Sequence, residues 1–277
     1  MVTKIIGVGD IHIRNMRRGK EYQEQLQKFI KECKDIVTEN GEDETRIVVC
    51  GDILHNKTDI SPEGYALASW FLRQLDKICT TIVFSGNHDI NTSNSNNRLD
   101  PLSVIFSMCK FNRVYYLDKD LGYKSGVVED DNIVWCLYSI FDKFSKPKEI
   151  TELYGKDNTK TFVGLFHGEL KNAITDVGYS FSNGIDSSYF DNIDFALLGH
   201  IHKRQCIDND GIKLVYVGSL IQQDHGENIS KHGYIVWDIK KGDYEEHNID
   251  NPNYGYYTFE INSENDIDED LEEVINL

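Results

Sequence analysis

"TTIVFSGNHD", residues 80–89, is the stretch on which the fold turns. A run of β-branched and aromatic residues ends at Gly86, and three residues able to bind a cation or carry a proton follow at once: Asn87, His88 and Asp89. The run is too short for a helix and is bounded by turn residues, so it reads as a buried strand. The same design occurs twice upstream. "KIIGVGDIH" (4–12) closes on Asp10 and His12, and "RIVVCGDILH" (46–55) closes on Asp52 and His55. Between them, "KEYQEQLQKFIKECKDIVTENG" (20–41) sets Tyr22, Leu26, Phe29, Ile30, Cys33, Ile36 and Val37 at helical spacing and stops at Gly41. Ser61 and Pro62 open a second helix, with proline at the tolerant first position. A βαβαβ order implies a parallel sheet with right-handed crossovers, and such sheets take their ligands beyond the carboxyl ends of the strands.

Downstream of a polar loop, "INTSNSNNRLD" (90–100), a short helix starts at Pro101 and the pattern then turns mostly to β. "VYYL" (114–117), "GYKSGVV" (122–128), "IVWCLYSI" (133–140), "TFVGLFHG" (161–168), "FALLGH" (195–200), "KLVYVGSL" (213–220), "GYIVWDI" (233–239) and "YGYYTFEI" (254–261) read as strands. Turn signals such as "EDDN", "DNDG" and "KKGD" separate them. The expectation is an α/β protein whose two sheets pack face to face with helices outside.

The 277 residues and 40% hydrophobic content suffice for a sizeable core. A formal charge of −17 argues against a surface that adheres to nucleic acid throughout, though not against a local basic groove. The six cysteines include no C-x-x-C pair and are expected to be buried free thiols. The absence of an 18-residue apolar run and of a signal-peptide pattern leads to an expected cytoplasmic location, or a nucleoid or nuclear one with DNA, and not secretion. The acidic run "NSENDIDEDLEEVINL" (262–277) reads as a solvated tail or the beginning of a linker or helix.

The strand ends carry Asp10, His12, Asp52, His55, Asn87, His88, His167, His200 and His202, which include six of the nine histidines. Taken singly, each is a commonplace turn carboxylate or hydrogen-bonded histidine. Taken together, converging carboxylates and imidazoles are costly unless a cation sits among them. A donor set of carboxylate, imidazole and amide oxygen without thiolate suits Mn²⁺, Fe²⁺ or catalytic Zn²⁺. The ligands are too many for one ion. Two ions about 3.5–4 Å apart and sharing a carboxylate would use them all, clamping a phosphate and activating water.

In order and spacing, D-x-H (Asp10, His12), G-D-x-x-H (Gly51, Asp52, His55), G-N-H-D (Gly86 to Asp89), H-G (His167, Gly168) and G-H-x-H (Gly199, His200, His202) resemble the calcineurin-like metallophosphoesterases over roughly residues 1–240. "GDILHNK", "GNHD", "LLGHIHKRQ" and "YVGSLIQQDHGE...KHGY" are similar to the SbcD-type DNA repair nucleases, also called the meiotic-recombination-eleven family; the Arg of protein phosphatases is missing. The resemblance implies a four-layer α/β/β/α sandwich with two central mixed sheets. It also implies a phosphodiester hydrolase acting as a DNA exonuclease or endonuclease in DNA recombination and end processing, with two divalent cations, most readily Mn²⁺ and otherwise Mg²⁺, Fe²⁺ or Zn²⁺. By the same resemblance Asp10, His12, Asp52 and His202 would hold one ion, and Asp52, Asn87, His167 and His200 the other. His88 would stabilise or protonate the leaving oxygen, and His55 would position the phosphate. Asp89 either orients His88 or is a turn carboxylate.

Arg14, Arg17, Arg18 and Lys20 follow the first motif, and Lys57, Arg98, Lys203 and Arg204 lie near other motifs. They form either a phosphate-contacting DNA surface or a solvated counterweight to an acidic protein. The family's partners are an SbcC-type ABC and coiled-coil ATPase and a second nuclease protomer. The helices from Pro62 to Lys77 and from Pro101 supply apolar residues for either a dimer surface or the core. Residues 1–250 are read as the nuclease domain, and 251–277 as a terminal strand and acidic tail or the beginning of a capping region. Two rivals stand beside this reading: a small-molecule phosphodiesterase or pyrophosphatase on the same site, and a non-catalytic scaffold that binds DNA ends.

Overall fold

A computed structural model describes residues 1–15, 17–91, 100–155 and 159–257. Along the chain run β1 (Lys4–Val8), α1 (Gly19–Asn40), β2 (Thr45–Cys50), α2 (Pro62–Leu75), β3 (Thr81–Phe84), α3 (Pro101–Met108), β4 (Val114–Tyr116) and α4 (Leu117–Asp120). The second half supplies β5 (Gly126–Asp130), β6 (Ile133–Tyr138), α5 (Lys148–Leu153), β7 (Thr161–His167), β8 (Phe195–Gly199), β9 (Gln205–Asn209), β10 (Ile212–Tyr216), β11 (Gly233–Asp238) and β12 (Asp243–Asn248). Two six-stranded sheets result, in the orders β12, β11, β1, β2, β3, β4 and β5, β6, β7, β8, β10, β9. Both are mixed: β1 to β4 run parallel, as do β6, β7, β8 and β10, while β11, β12, β5 and β9 pair antiparallel at the flanks.

Side-chain alternation explains why the sheets stack. In β2, Ile47 and Val49 face the outer helices while Val48 and Cys50 face the other sheet. In β7, Val163 and Leu165 point between the sheets and Phe162 and Phe166 point outward. The inter-sheet core includes Trp135 and Trp237, the latter stacked on Phe195 with ring centroids 3.8 Å apart. On the outer face of the first sheet, α1 and α2 bring Phe29 and Phe71 into a shared cluster. The second sheet has a thinner cover, α5 with Ile150 and the irregular segments carrying Leu170, Phe190 and Ile193. The architecture is the four-layer α/β/β/α sandwich with two mixed sheets.

Some boundaries differ from the sequence pattern. β5 begins at Gly126, four residues later than the pattern suggests, because Tyr123 adopts a positive φ of 61° in the preceding turn. Residues 254–257 are irregular, and the remainder of the expected terminal strand and the acidic tail lie outside the described residues. The strands β9 and β12 have no counterpart in the sequence reading. Both are sheet edges with exposed polar residues on at least one face, so apolar alternation is weak or absent. In the two helices considered for a dimer surface, Phe71, Leu75, Leu102 and Ile105 are buried, and Leu67, Trp70 and Phe106 pack against the same core. Met108 is exposed. Five cysteines are buried and free; Cys206, also free, is exposed at the edge strand β9. No helix among the described residues is long and apolar enough to cross a membrane.

Candidate metal centre

The carboxyl ends of β1, β2, β3, β7 and β8 meet at one place. Backbone geometry delivers the candidate ligands there: Asp10, His12, Asp52 and His200 all have positive φ, at 47°, 53°, 52° and 93°. That conformation costs energy in a non-glycine residue, and it persists where the surroundings over-determine it. Asp10 accepts from the backbone N–H of His200 at 3.0 Å, and Asp52 accepts from the backbone N–H of His88 at 2.7 Å, so loops from both sheets are fastened to the two carboxylates. The glycines have a steric reason. A Cβ on Gly86 would overlap the Asp52 carboxylate and lie 2.5 Å from His167 Cε1, and one on Gly199 would overlap the Cys50 carbonyl. Only a bare backbone lets the end of β3 approach Asp52 and His167, and the end of β8 approach β2, so closely.

The side chains form three groups, within each of which the candidate ligand atoms lie within 4.8 Å of one another: Asp10, His12 and His202; Asp52, His167 and His200; and His12, His55 and His88. Asp52 connects the first two, with Oδ2 3.5 Å from His12 Nε2 and 3.2 Å from His167 Nε2. Asn87 Oδ1 lies 3.2 Å from His167 Nε2 and 2.8 Å from His200 Nδ1. His88 and His55 stack beside this cluster, with centroids 5.0 Å apart and planes at 21°. His88 Nδ1 donates to the His55 carbonyl at 2.5 Å.

The donor set fits divalent cations. His167 Nδ1 donates to the Cys50 carbonyl at 2.8 Å, which in the neutral ring leaves Nε2 as a lone pair facing the oxygens of Asp52 and Asn87. His12 Nε2 and His202 Nε2 likewise face each other at 3.0 Å. Converging lone pairs of this kind need a proton or a metal between them. The titration behaviour has the same origin. Burial opposes charge on His167, but the Asp52 carboxylate outweighs it and raises the pKa to about 9. Burial likewise opposes charge on His202, yet its hydrogen bond to Glu227 and the nearby Asp10 raise it to about 9. For Asp52, burial works toward protonation, but His167 and His12 hold the carboxyl far below the usual range. Burial pushes Asp10 up to about 6. His200 and His55 are lowered to about 4 by burial, helped by His167 and Arg14 respectively.

Asp89 is fully buried, and its carboxylate accepts from the backbone N–H groups of Ile53, Leu54 and Gly86, tying the β2 and β3 loops together. The turn-carboxylate reading describes its contacts. Two acidic residues not singled out as site residues also reach the cluster, Glu227 at the end of the stretch "YVGSLIQQDHGE" and Glu169 directly after His167 and Gly168. Glu227 Oε1 accepts from His202 Nδ1 at 2.5 Å, and Glu169 lies 3.6 Å from His200 Nε2. Neither sits in an apolar strand motif, so spacing gives no signal for them.

The basic residues separate into two kinds. Arg14 bonds His55 Nε2 at 3.2 Å, and both it and Arg17 line a cavity of about 580 Å³ with His55, Asn56 and Ser61. Lys20 and Lys57 are exposed, and Lys203 is half-buried. Arg18, by contrast, is paired with Glu21 at 2.5 Å and packs over Tyr256. Arg204 has a side chain only 4% exposed and donates to the carbonyls of Tyr234 and His247. Arg98 lies outside the described residues.

The family model of the calcineurin-like phosphoesterases matches residues 3–204, a span that contains every strand end just described. The chain belongs to this family. Membership indicates phosphoester hydrolysis supported by divalent metals. Among curated relatives, uncharacterized protein R555 of Acanthamoeba polyphaga mimivirus is 37% identical over 266 residues, covering 94% of this chain but 19% of its own length. The SbcD component of nuclease SbcCD from Staphylococcus epidermidis is 25% identical over 263 residues, covering 86% of this chain and 66% of its own. The chain thus spans about a fifth of the first relative and under two thirds of the second. Among solved structures, an archaeal phosphodiesterase shares 13% identity at a TM-score of 0.40, covering 89% of this chain and 99% of the other.

Proposed function

We propose that this phosphoesterase is an SbcD-type nuclease: a metal-dependent phosphodiesterase that trims or cuts DNA at ends. The observation that carries the reading is the position of His55. It stacks on His88 beside the ligand cluster and at the same time lines the cavity that holds Arg14 and Arg17. A phosphodiester at the cluster would therefore have a cationic surface next to it, where a neighbouring phosphate of the same strand can sit. The similarity to a nuclease component in Staphylococcus epidermidis supports the same substrate class.

Asp10, His12, Asp52 and His202 would hold one divalent cation, and Asp52, Asn87, His167 and His200 a second, with Mn²⁺ the best match to the oxygen and imidazole donors. When bound, the pair supplies Lewis-acid stabilisation of the phosphate and an activated water. His88, its Nδ1 committed to the His55 carbonyl, keeps Nε2 to hold a proton at the leaving oxygen. Arg14, held by His55 Nε2 and by the backbone and side-chain oxygens of Gln223, would present its guanidinium at the wall of that cavity. Arg17, Lys20, Lys57 and Lys203 extend the basic surface, whereas Arg18 and Arg204 serve the fold.

We assign residues 1–250 to the catalytic unit, and an SbcC-type ATPase and a second copy of the chain as its partners. The deciding experiment offers end-labelled duplex and single-stranded DNA, beside a panel of cyclic nucleotides, to the protein with Mn²⁺ and with Mg²⁺, with and without such an ATPase. DNA cleavage that weakens in an Arg17→Ala, Lys57→Ala double variant is expected. Hydrolysis confined to cyclic nucleotides would overturn the reading in favour of a small-molecule esterase.

A further inference from the structure

A second cavity, of about 350 Å³, opens on the opposite flank of the cluster and shares Asn87, His167 and His200 with it. The rest of its wall is largely apolar, with Ile140, Phe144, Phe166 and Ile185, and Glu169 adds a carboxylate. Its size falls in the range of small-molecule sites, about 300–1,000 Å³.

Phe144 is built into place. Its φ is 60° and that of Lys143 is 61°, two consecutive non-glycine residues in the left-handed region. The turn is pinned on both sides, by the Phe144 N–H donating to the Ser139 carbonyl at 2.8 Å and by Tyr189 Oη donating to the Phe144 carbonyl at 2.9 Å. The ring meets the buried Phe166 edge-on at 4.8 Å, yet Phe144 stays partly exposed. A bulky residue held in an unfavoured conformation, its ring presented to a cavity beside ligand side chains, is pre-organised for something flat and apolar.

We propose that this cavity receives the nucleobase attached to the phosphate at the cluster. The base stacks on Phe144, and its edge turns an exocyclic amino group toward Glu169, whose carboxylate can only accept. Stacking is tolerant of base identity, and the Glu169 contact adds a preference for the amino-bearing bases adenine, cytosine and guanine over thymine. The inference rests on the polynucleotide reading above, but its test does not depend on turnover.

The test measures binding of 2′-deoxyadenosine 5′-monophosphate and of 2-deoxyribose 5-phosphate by calorimetry at one Mn²⁺ concentration. The two ligands share the phosphate and sugar, so their affinity ratio isolates the base. The ratio is expected to exceed about 10, to fall about tenfold in Phe144→Ala and to be kept in Phe144→Tyr, in line with the usual worth of one stacked base. Thermal unfolding of each variant checks the fold, and if Phe144→Ala unfolds, Glu169→Gln is expected to lower the ratio instead. A ratio near one in the unaltered protein, or one untouched by Phe144→Ala, overturns the proposal. DNA cleavage accompanied by a ratio near one would sink the base pocket alone, and a high ratio without DNA cleavage would sink the nuclease reading alone.

Discussion

His202 donates its Nδ1–H to Glu227 Oε1 over 2.5 Å, and the other oxygen of Glu227 accepts the backbone N–H of Gln223 at 2.7 Å. The carboxylate is 8% exposed, fixed at both oxygens, and leaves His202 Nε2 as the position facing His12. Carboxylate partners of this sort orient a ligating imidazole and raise its basicity. Glu227→Gln keeps an acceptor of the same shape while removing the charge. Its expected effect is a weaker affinity for Mn²⁺ by about 10- to 100-fold, read by calorimetry. An unchanged affinity would remove Glu227 from the metal centre.

Proton linkage gives the metal-free protein a distinctive pH response. The pKa values of His167 and His202 are raised to about 9, above the ordinary 6.5. Their stabilising contribution is therefore complete below pH 6.5 and disappears as pH climbs through 9. Asp89, raised to about 7 by burial and by Asp52, acts in the same direction up to neutrality. His55 and His200, lowered to about 4, act the opposite way, but only until their unfolded rings lose their protons around the ordinary 6.5, at the opening of this window. The Tm of protein held in chelator should fall between pH 6.5 and 9, by an amount on the order of a few kcal/mol in stability. A divalent cation needs the same nitrogens deprotonated, so adding one should flatten or invert the slope. A Tm that rises with pH in chelator would contradict the assignment.

Much of this candidate centre is legible in the sequence because its candidate ligands sit on the turns that end buried strands. Asp10, His12, Asp52, Asn87, His167, His200 and His202 each follow an apolar run whose burial on both faces makes it conspicuous, and parallel strands bring such ends together. The edges β9 and β12 lack that signal because solvent covers a face of each. Phe144 and the role of Glu227 are invisible for a different reason. They belong to irregular segments where neither period 2 nor period 3.6 operates, and only the folded chain shows that one holds His202 and the other walls a cavity. Arg18 and Arg204 teach the converse, since proximity in sequence to a motif says nothing about whether a guanidinium is consumed by Glu21 or by backbone carbonyls.

Asp52 approaches ligand nitrogens of both main groups with a single oxygen, His12 at 3.5 Å and His167 at 3.2 Å. Asp52→Asn should keep the bond from the His88 N–H through its remaining oxygen while losing the shared negative charge. Metal content measured by elemental analysis after dialysis is expected to fall at both positions, together with activity. Retention of the full complement would show that the two groups bind independently.

His88 supplies the sharpest separation of chemistry from metal binding. Its backbone N–H, not its ring, contacts Asp52, at 2.7 Å, and its ring is anchored to the His55 carbonyl rather than to the ligand oxygens. His88→Ala removes the imidazole and leaves that backbone bond in place. The variant should bind the same amount of metal with the same affinity, yet hydrolyse a phosphodiester about 10²- to 10⁴-fold more slowly, the usual worth of a positioned acid–base group. The loss should be largest for esters with poor leaving groups and smallest for p-nitrophenyl esters, whose leaving oxygen needs little protonation. A uniform loss across leaving groups would mean that His88 binds the phosphate instead, and undiminished hydrolysis of DNA would end its catalytic assignment.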